Sequence, residues 1–334
     1  MKYTKITNTD LKVSRIGLGT WGMGGWMWGG SDEQEAIRTI HTALDSGINL
    51  IDTAPVYGFG KSEEIVGRAL AEHGRREHVI IATKVGLEWK DGSVFRNSSR
   101  ERIFREVEDS LRRLRTSYID IYQVHWPDAL VPFEETAEAM AFLYGQGKIR
   151  AIGVSNYSPQ QMEQFRASAP LHAVQPPYNL FERGIERDVL PFARETRLGV
   201  LAYGALCRGL LSGRMHASSQ FHGDDLRRVD PKFQPPRYAQ YLKAVERLDQ
   251  FALQNYGKRV LDLAVRWLLD QPGVSVALWG ARRPDQLAPV GNTVGWSLDL
   301  GALEAIDQII QESVIDPVGP EFMAPPVLEY AHSA

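Results

Sequence analysis

Eight strand-length apolar runs, separated by longer stretches of a different periodicity, limit the fold of this chain more than any other feature. The runs are Val13–Gly19, Ile48–Asp52, Val79–Lys84, Ile119–His125, Ala151–Ser155, His172–Gln175, Gly199–Tyr203 and Val274–Trp279. Between them, Asp32–Ser46, Ser62–His73, Arg102–Leu114, Phe133–Tyr144 and Val260–Leu269 repeat apolar residues every three or four positions and carry charges elsewhere, as helices with one buried face do. Such alternation predicts a parallel sheet. Eight strands with a crossover helix after most of them predict a closed (β/α)8 TIM barrel, since a doubly wound open sheet usually has fewer strands and a nucleotide fingerprint in its first turn.

Length is consistent with this. The 334 residues would make about two domains at roughly 150 residues each, yet no linker or shift in composition divides them, so 1–334 reads as a single domain. A barrel takes roughly 250 residues. The excess is assigned to three appendages: a β-hairpin, Tyr3–Thr7 with Leu11–Ser14, expected to plug the barrel floor; the Gly-, Arg-, Asp- and Pro-rich connection Gly204–Pro236 after the seventh strand; and a short helix and Pro-rich tail after Gly301.

Composition excludes several function classes. With 38 basic against 41 acidic residues, the net charge of −3 leaves no electrostatic footprint for nucleic acid. No apolar run approaches the roughly 20 residues of a membrane span, and the start lacks a signal-peptide pattern. Cys207 is the only cysteine, so an intrachain disulfide and a thiolate metal cluster are both impossible. No His-x-His, His-Glu-x-x-His or Gly-x-Ser-x-Gly occurs, which disfavours metal and serine-nucleophile chemistry. A cytoplasmic, unprocessed protein without nucleic-acid or membrane partners is expected.

In a barrel the C-terminal strand ends form the active-site face. Here they carry Asp52, Lys84, His125, Ser155-Asn156, Gln175, Tyr203 and Gly280, with Tyr57 in the loop five residues past Asp52. Each has a bland reading alone: Asp52 as a turn cap, Lys84 as a snorkelling cation, His125 as a core histidine, Tyr57 as a packing aromatic. Gathered on one rim, each would carry a desolvation cost without a role, and together they read as a site. A phenol near an ammonium can give a proton, Lys84 is expected to lower the Tyr57 pKa from about 10, Asp52 to keep Lys84 charged, and His125 to donate a hydrogen bond to a carbonyl oxygen. One signal misleads: Gly17-Leu18-Gly19-Thr20-Trp21-Gly22 matches GxGxxG, but Met23–Gly30 is too rich in Gly and Trp to open a helix. It reads as a loop presenting Trp21, Trp26, Met27 and Trp28 near the pocket mouth, with Trp21 toward substrate and the others equally able to pack against the strap or a partner subunit.

The ordered motifs Gly17–Trp21, Ile51–Ala54 with Tyr57-Gly58, Ala82–Lys84, His125-Trp126, Gly153–Asn156, Gln175 and Ala202–Leu206 resemble those of the aldo-keto reductases, and Trp21–Trp26 with Phe181-Glu182-Arg183 most resemble a bacterial branch of glyceraldehyde-type and general-stress reductases. The resemblance implies NADPH-dependent reduction of small aldehydes or ketones without a metal. It makes Tyr57 the general acid, tuned by Lys84 and Asp52, with His125 orienting the carbonyl and Trp21 and Trp126 in the substrate pocket. Ser155, Asn156 and Gln175 would hold the nicotinamide carboxamide and Tyr203 would stack on its ring. Leu206 and Arg208 would wrap the pyrophosphate beneath a flexible strap completed by Gly223–Pro231. Thr20, Gly280, Arg282 and Gln286 complete the cofactor set. Arg282, with Arg283, stands before a predicted helix start and suits a 2′-phosphate, so NADPH is expected over NADH; a solvated basic pair is the bland alternative. Small, polar aldehydes are the expected substrates, and monomer and homo-oligomer both stay open. The rival reading, suggested by relatives such as potassium-channel β subunits, is a nicotinamide-occupied redox-sensing binding protein with slow turnover; a chain opening directly on its hairpin favours the enzyme.

Overall fold

The chain enters through an antiparallel hairpin, β1 (Tyr3–Lys5) with β2 (Lys12–Ser14), pairing Tyr3 with Ser14 and Lys5 with Lys12. Ile6, Leu11 and Val13 of this hairpin share one buried cluster with Leu50, Ile80, Ile121, Leu201 and Val276 of the strands that follow. The hairpin therefore closes the barrel floor, as expected. Gly199 makes room for it: a Cβ there would lie 2.8 Å from Ile6 Cδ1. The computed structural model describes residues 1–327.

Strands and helices then alternate. β3 (Ile16–Gly19) leads to α1 (Glu33–Asp45), β4 (Leu50–Asp52) to α2 (Lys61–His73), and β5 (Ile80–Val85) to a second hairpin, β6 (Leu87–Lys90) with β7 (Ser93–Arg96), and then α3 (Arg100–Leu114). β8 (Ile121–Val124) precedes α4 (Phe133–Gly145), β9 (Ile152–Ser155) precedes α5 (Pro159–Arg166), and β10 (Ala173–Gln175) precedes α6 (Val189–Glu195). After β11 (Gly199–Ala202) comes the long connection, then α7 (Arg237–Tyr256), α8 (Val260–Asp270), β12 (Val274–Gly280) and α9 (Leu300–Ser313). Parallel ladders join β3-β4-β5-β8-β9-β10-β11-β12, and β12 returns onto β3 with Gly280 opposite Gly19, closing the barrel.

All eight anticipated strands are present with shifted ends. The run Val13–Gly19 serves two sheets: it turns at Arg15, whose guanidinium donates to the carbonyls of Leu269, Val274 and Ser275, so its first half belongs to the floor hairpin. Local chemistry sets the helix starts. Asp32 accepts from Glu35 N–H ahead of α1, Ser99 from Arg102 N–H ahead of α3, and Ser158 and Gln161 form a reciprocal capping box at α5, each satisfying donors that a helix cannot bond internally. The β6–β7 hairpin was not foreseen. Its signal is Asp91-Gly92, with φ of 51° and 79°, the pair of left-handed residues that a tight hairpin turn requires.

Candidate active site at the barrel rim

Asp52 ends β4 and Lys84 is the penultimate residue of the neighbouring β5, and both are buried. Lys84 Nζ donates to Asp52 Oδ1 at 2.7 Å, to Thr53 O at 2.9 Å and to the Tyr57 hydroxyl at 3.3 Å. Asp52 Oδ2 accepts from Gln175 Nε2 at 2.7 Å, and Gln123, a polar residue inside the apolar run of β8, donates to the same oxygen at 3.4 Å. Gln123 was missed by the sequence reading because the strand around it is otherwise apolar. The His125 ring meets the Tyr57 ring edge-on at 5.7 Å, and Trp21 stacks on the Tyr57 ring at 5.8 Å. The four residues proposed as a catalytic set are thus in one constellation.

Its electrostatics differ from expectation in one respect. The Tyr57 pKa is raised well above 10, first by burial and then by the Asp52 charge, whereas Lys84 was expected to lower it. Lys84 is already matched by Asp52 at 2.7 Å, and a nearly neutral pair does not offset desolvation. The phenol accordingly keeps its proton through the neutral range. Lys84 itself is pulled down by desolvation while Asp52 and Glu63 pull it up. His125 is pushed well below 6.5 by desolvation and by Lys84, so its imidazole is neutral.

Tyr57 is held in place by the loop that mimicked a nucleotide fingerprint. A Cβ on Gly24 would lie 2.4 Å from Tyr57 O, and one on Gly58, at φ 69°, 2.2 Å from Gly24 O, so the two loops touch through bare backbone. Trp21–Met23 is a single 3₁₀ turn and α1 waits until Glu33, as expected for a loop. Trp21, Trp26, Tyr57, His125, Trp126, Ser155, Asn156, Gln175 and Tyr203 line one cavity of about 270 Å³, with Leu87 and Val94 of the second hairpin and Phe322–Pro326 of the tail. Neither of these last two walls was anticipated. Trp28 stands apart, edge-on to Trp21 at 5.5 Å.

Ser155, Asn156, Gln175 and Tyr203 reach the cavity together. Asn156, at φ 62°, donates to His125 O and Ser155 Oγ and accepts from the Tyr203 hydroxyl at 2.9 Å, while Ser155 Oγ donates to Gln175 O at 2.7 Å. An aromatic face beside a row of amide and hydroxyl groups suits a planar ring bearing a carboxamide. The residues present therefore fit a nicotinamide.

Two cofactor assignments place differently. Thr20 is fully buried, its hydroxyl on Asp52 O at 2.9 Å and Ser62 Oγ at 2.8 Å; it ties the loop after β3 to the Tyr57 loop rather than facing the cleft. Arg208 is buried and gives its guanidinium to Glu182 and Asp230, with Lys232 Nζ 2.8 Å from Glu182. Buried charges of this kind need partners, and the partners leave the Arg208 side chain committed within the fold. That cluster also pins the strap, which was expected to be flexible. Further along, Asp224 accepts from Met27 and Gly29 N–H, and Leu226 N–H donates to Met27 O, so the strap closes onto the Trp26–Gly30 loop. Leu206, half-buried, packs at the base of the strap.

Past Gly280 at the end of β12, Pro284 opens a 3₁₀ helix, Pro284–Thr293, as expected. Gln286 Oε1 accepts from the backbone of both Arg282 and Arg283. The Arg282 guanidinium donates to Trp28 O at 2.9 Å and Gly30 O at 3.3 Å, and Arg283, exposed, pairs with Asp285 at 3.0 Å. Among the described residues no helix is long and apolar enough to cross a membrane.

The sequence pattern of the Aldo/keto reductase family matches residues 15–311. The chain belongs to that family. It is 60% identical over 329 residues to Aldo-keto reductase YhdN of Bacillus subtilis (strain 168), covering 98% of this chain and 99% of that one. It is 37% identical over 304 residues to the NADH-specific methylglyoxal reductase of Escherichia coli (strain K12), covering 86% and 91%. Among solved structures, the glycerol dehydrogenase AKR11B4 from Gluconobacter oxydans superposes with a TM-score of 0.87 at 54% identity, over 96% of this chain and 99% of that one. Members of this family are oxidoreductases that use a nicotinamide cofactor to reduce carbonyl groups.

Proposed function

We propose that this chain is an NADPH-dependent reductase of aldehydes or ketones in which Tyr57 is the proton donor. The observation that carries the reading is the Lys84 Nζ contact with both Asp52 Oδ1 and the Tyr57 hydroxyl beside a neutral His125. The bound cofactor supplies a hydride to the carbonyl carbon. Tyr57 gives its proton to the carbonyl oxygen, and Lys84 favours the phenolate so formed through its hydrogen bond and charge. Asp52, braced by Gln175 and Gln123, holds Lys84 in register. Neutral His125 donates a second hydrogen bond to the oxygen, and Ser155, Asn156, Gln175 and Tyr203 orient the nicotinamide. Because Tyr57 must be protonated and burial raises its pKa, the reduction rate stays flat as pH rises through the neutral range.

The lining supports a substrate class other than the expected one. Three tryptophans, Val56, Leu87, Val94 and Phe322 surround the reacting groups, so apolar carbonyl compounds are favoured over the polar aldehydes anticipated from sequence. For the cofactor, Arg282 is proposed to hold the 2′-phosphate, with Arg283 beside it. The relative named as an NADH-specific reductase makes this the point to test. With aldehydes as substrate, Arg282→Ala should raise the KM for NADPH at least tenfold and that for NADH less than twofold; equal rises would refute the phosphate role. Nothing in the comparisons supports the redox-sensing alternative, and turnover below about one per minute with every aldehyde tried would count against the enzyme, since enzymes run at roughly 1–10³ per second.

A further inference from the structure

The wall of the cavity made by Phe322–Pro326 has almost no secondary structure of its own: a 3₁₀ turn at Glu321–Met323 and then extended chain. Pro325 and Pro326 lack N–H groups, so these two residues can be tethered to the barrel only through carbonyl oxygens and packing. One residue supplies those donors. Arg96, the last residue of β7, donates from Nε to Pro325 O at 2.9 Å and from its backbone N–H to Pro326 O at 3.1 Å, and forms a parallel bridge with Val327. The same guanidinium donates from Nη1 to Pro127 O at 2.7 Å and lies 5.3 Å from the centroid of the Trp126 ring. Trp126, Pro325 and Pro326 all line the cavity. At its other end the tail is held by Lys232 Nζ on Gly319 O at 2.9 Å and by the Tyr241 hydroxyl on Val318 N–H at 3.2 Å.

We propose that Arg96 is a positioning residue that seats both the Trp126 wall and the Phe322–Pro326 wall of the carbonyl pocket and so sets its selectivity for apolar chains. The planar fork of arginine reaches two carbonyls while its face rests on an indole, a combination that a lysine ammonium does not reproduce. Arg96 touches none of the reacting groups, so its effect falls on substrate fit rather than on proton transfer. The proposal rests on the carbonyl-reductase reading given above.

Steady-state kinetics of the full chain with propanal and hexanal at saturating NADPH test it. Three additional methylenes against an apolar wall should favour hexanal in kcat/KM at least tenfold. In Arg96→Met that ratio should fall at least fivefold through the hexanal KM, with the NADPH KM and the propanal kcat within twofold of the parent. An unchanged ratio overturns the proposal. A chain ending at Val318, which lacks the Phe322–Pro326 wall, should show part of the loss, and adding Arg96→Met to it, which still unseats Trp126, should lower the ratio less than it does in the full chain; an equal or larger fall would show that Arg96 does not act through the tail and overturn the proposal. Arg96→Lys, which keeps the charge without the fork, serves the same comparison if Arg96→Met fails to fold. Hydrogen exchange separates this from failure of the enzymatic reading: amides within Glu321–Val327 should exchange at least tenfold faster in the variant whether or not any aldehyde is reduced, and equal exchange overturns the staple.

Discussion

The two ends of the barrel are built from the same eight strands and treat polar groups in opposite ways. At the floor, Ile6, Leu11 and Val13 fill the interior, and the buried carboxylate there, Asp120, is closed off on all sides: Arg76 and Arg150 each donate to it at 2.9 Å and Ile81 N–H at 3.0 Å. His172, at the start of β10, spends Nδ1 on Ile152 N–H at 3.0 Å. At the rim, Asp52 is equally well bonded, but its partners lead outward to Tyr57, and His125 turns its ring to the cavity. Polar groups at the floor terminate on one another, whereas those at the rim form a chain ending at a space a substrate can enter. Burial of charge alone therefore does not mark the site; the direction in which the hydrogen bonds run does.

The largest expected effect breaks the end of that chain. Tyr57→Phe removes only the hydroxyl that Lys84 reaches at 3.3 Å, and positioned proton transfer is worth roughly 10²–10⁴ in rate. The variant should lose that factor in kcat with aldehydes while its nicotinamide-cofactor affinity and melting temperature stay near the parent's. Stopped-flow reduction and cofactor titration check both halves, and loss of cofactor binding would contradict the assignment.

Next in size is a matched pair of charge deletions, one at each end. Lys84→Met strands the buried Asp52 carboxylate, and Arg76→Met takes one partner from Asp120. Breaking a buried pair costs about 3–5 kcal/mol; Asp120 keeps Arg150 and Ile81 N–H, so its variant should lose less. Denaturant unfolding measures the stability, and activity separates the ends: the floor variant should keep its kcat, and the rim variant should not. Equal loss of activity in both would dissolve the distinction drawn between them. A third test needs no charge. Ile6→Ala opens the floor plug, should destabilise by about 2–5 kcal/mol, and should leave kcat/KM unchanged.

Much of the rim was legible because each of its groups ends a short apolar run, so that position in the chain translates directly into position on one face. Asp52, Lys84, His125 and Gln175 were found that way, and the hairpin plug as two short segments either side of Asn8-Thr9-Asp10. What escaped was long-range. Arg96 and Pro325 are 229 residues apart, and no local pattern encodes their pairing; Arg208 likewise looked free because Glu182 and Asp230 sit in other loops. Thr20 is a smaller case of the same kind: its hydroxyl turns inward to Asp52 O and Ser62, which its motif does not announce. The β6–β7 hairpin alone had a readable signal, Asp91-Gly92, that went unused.

The smallest expected effect compares the two histidines. Burial lowers the pKa of His172 below its usual value of about 6.5, as desolvation and Lys84 lower that of His125. In both, the unfolded chain binds a proton that the folded chain refuses, so stability is full above pH 6.5 and declines as pH falls from there toward the folded pKa, with a slope of at most about 1.4 kcal/mol per pH unit for each group. His172→Asn keeps an acceptor for Ile152 N–H and should flatten that decline without touching the pH profile of kcat. His125→Asn should flatten it at least as much, because burial and the Lys84 charge together push the His125 pKa down further than burial alone pushes that of His172, and should lower kcat at every pH. Melting curves between pH 5 and 8, set beside rate profiles over the same range, distinguish a histidine bonded within the fold from one held ready for a ligand; identical behaviour of the two variants would erase the difference.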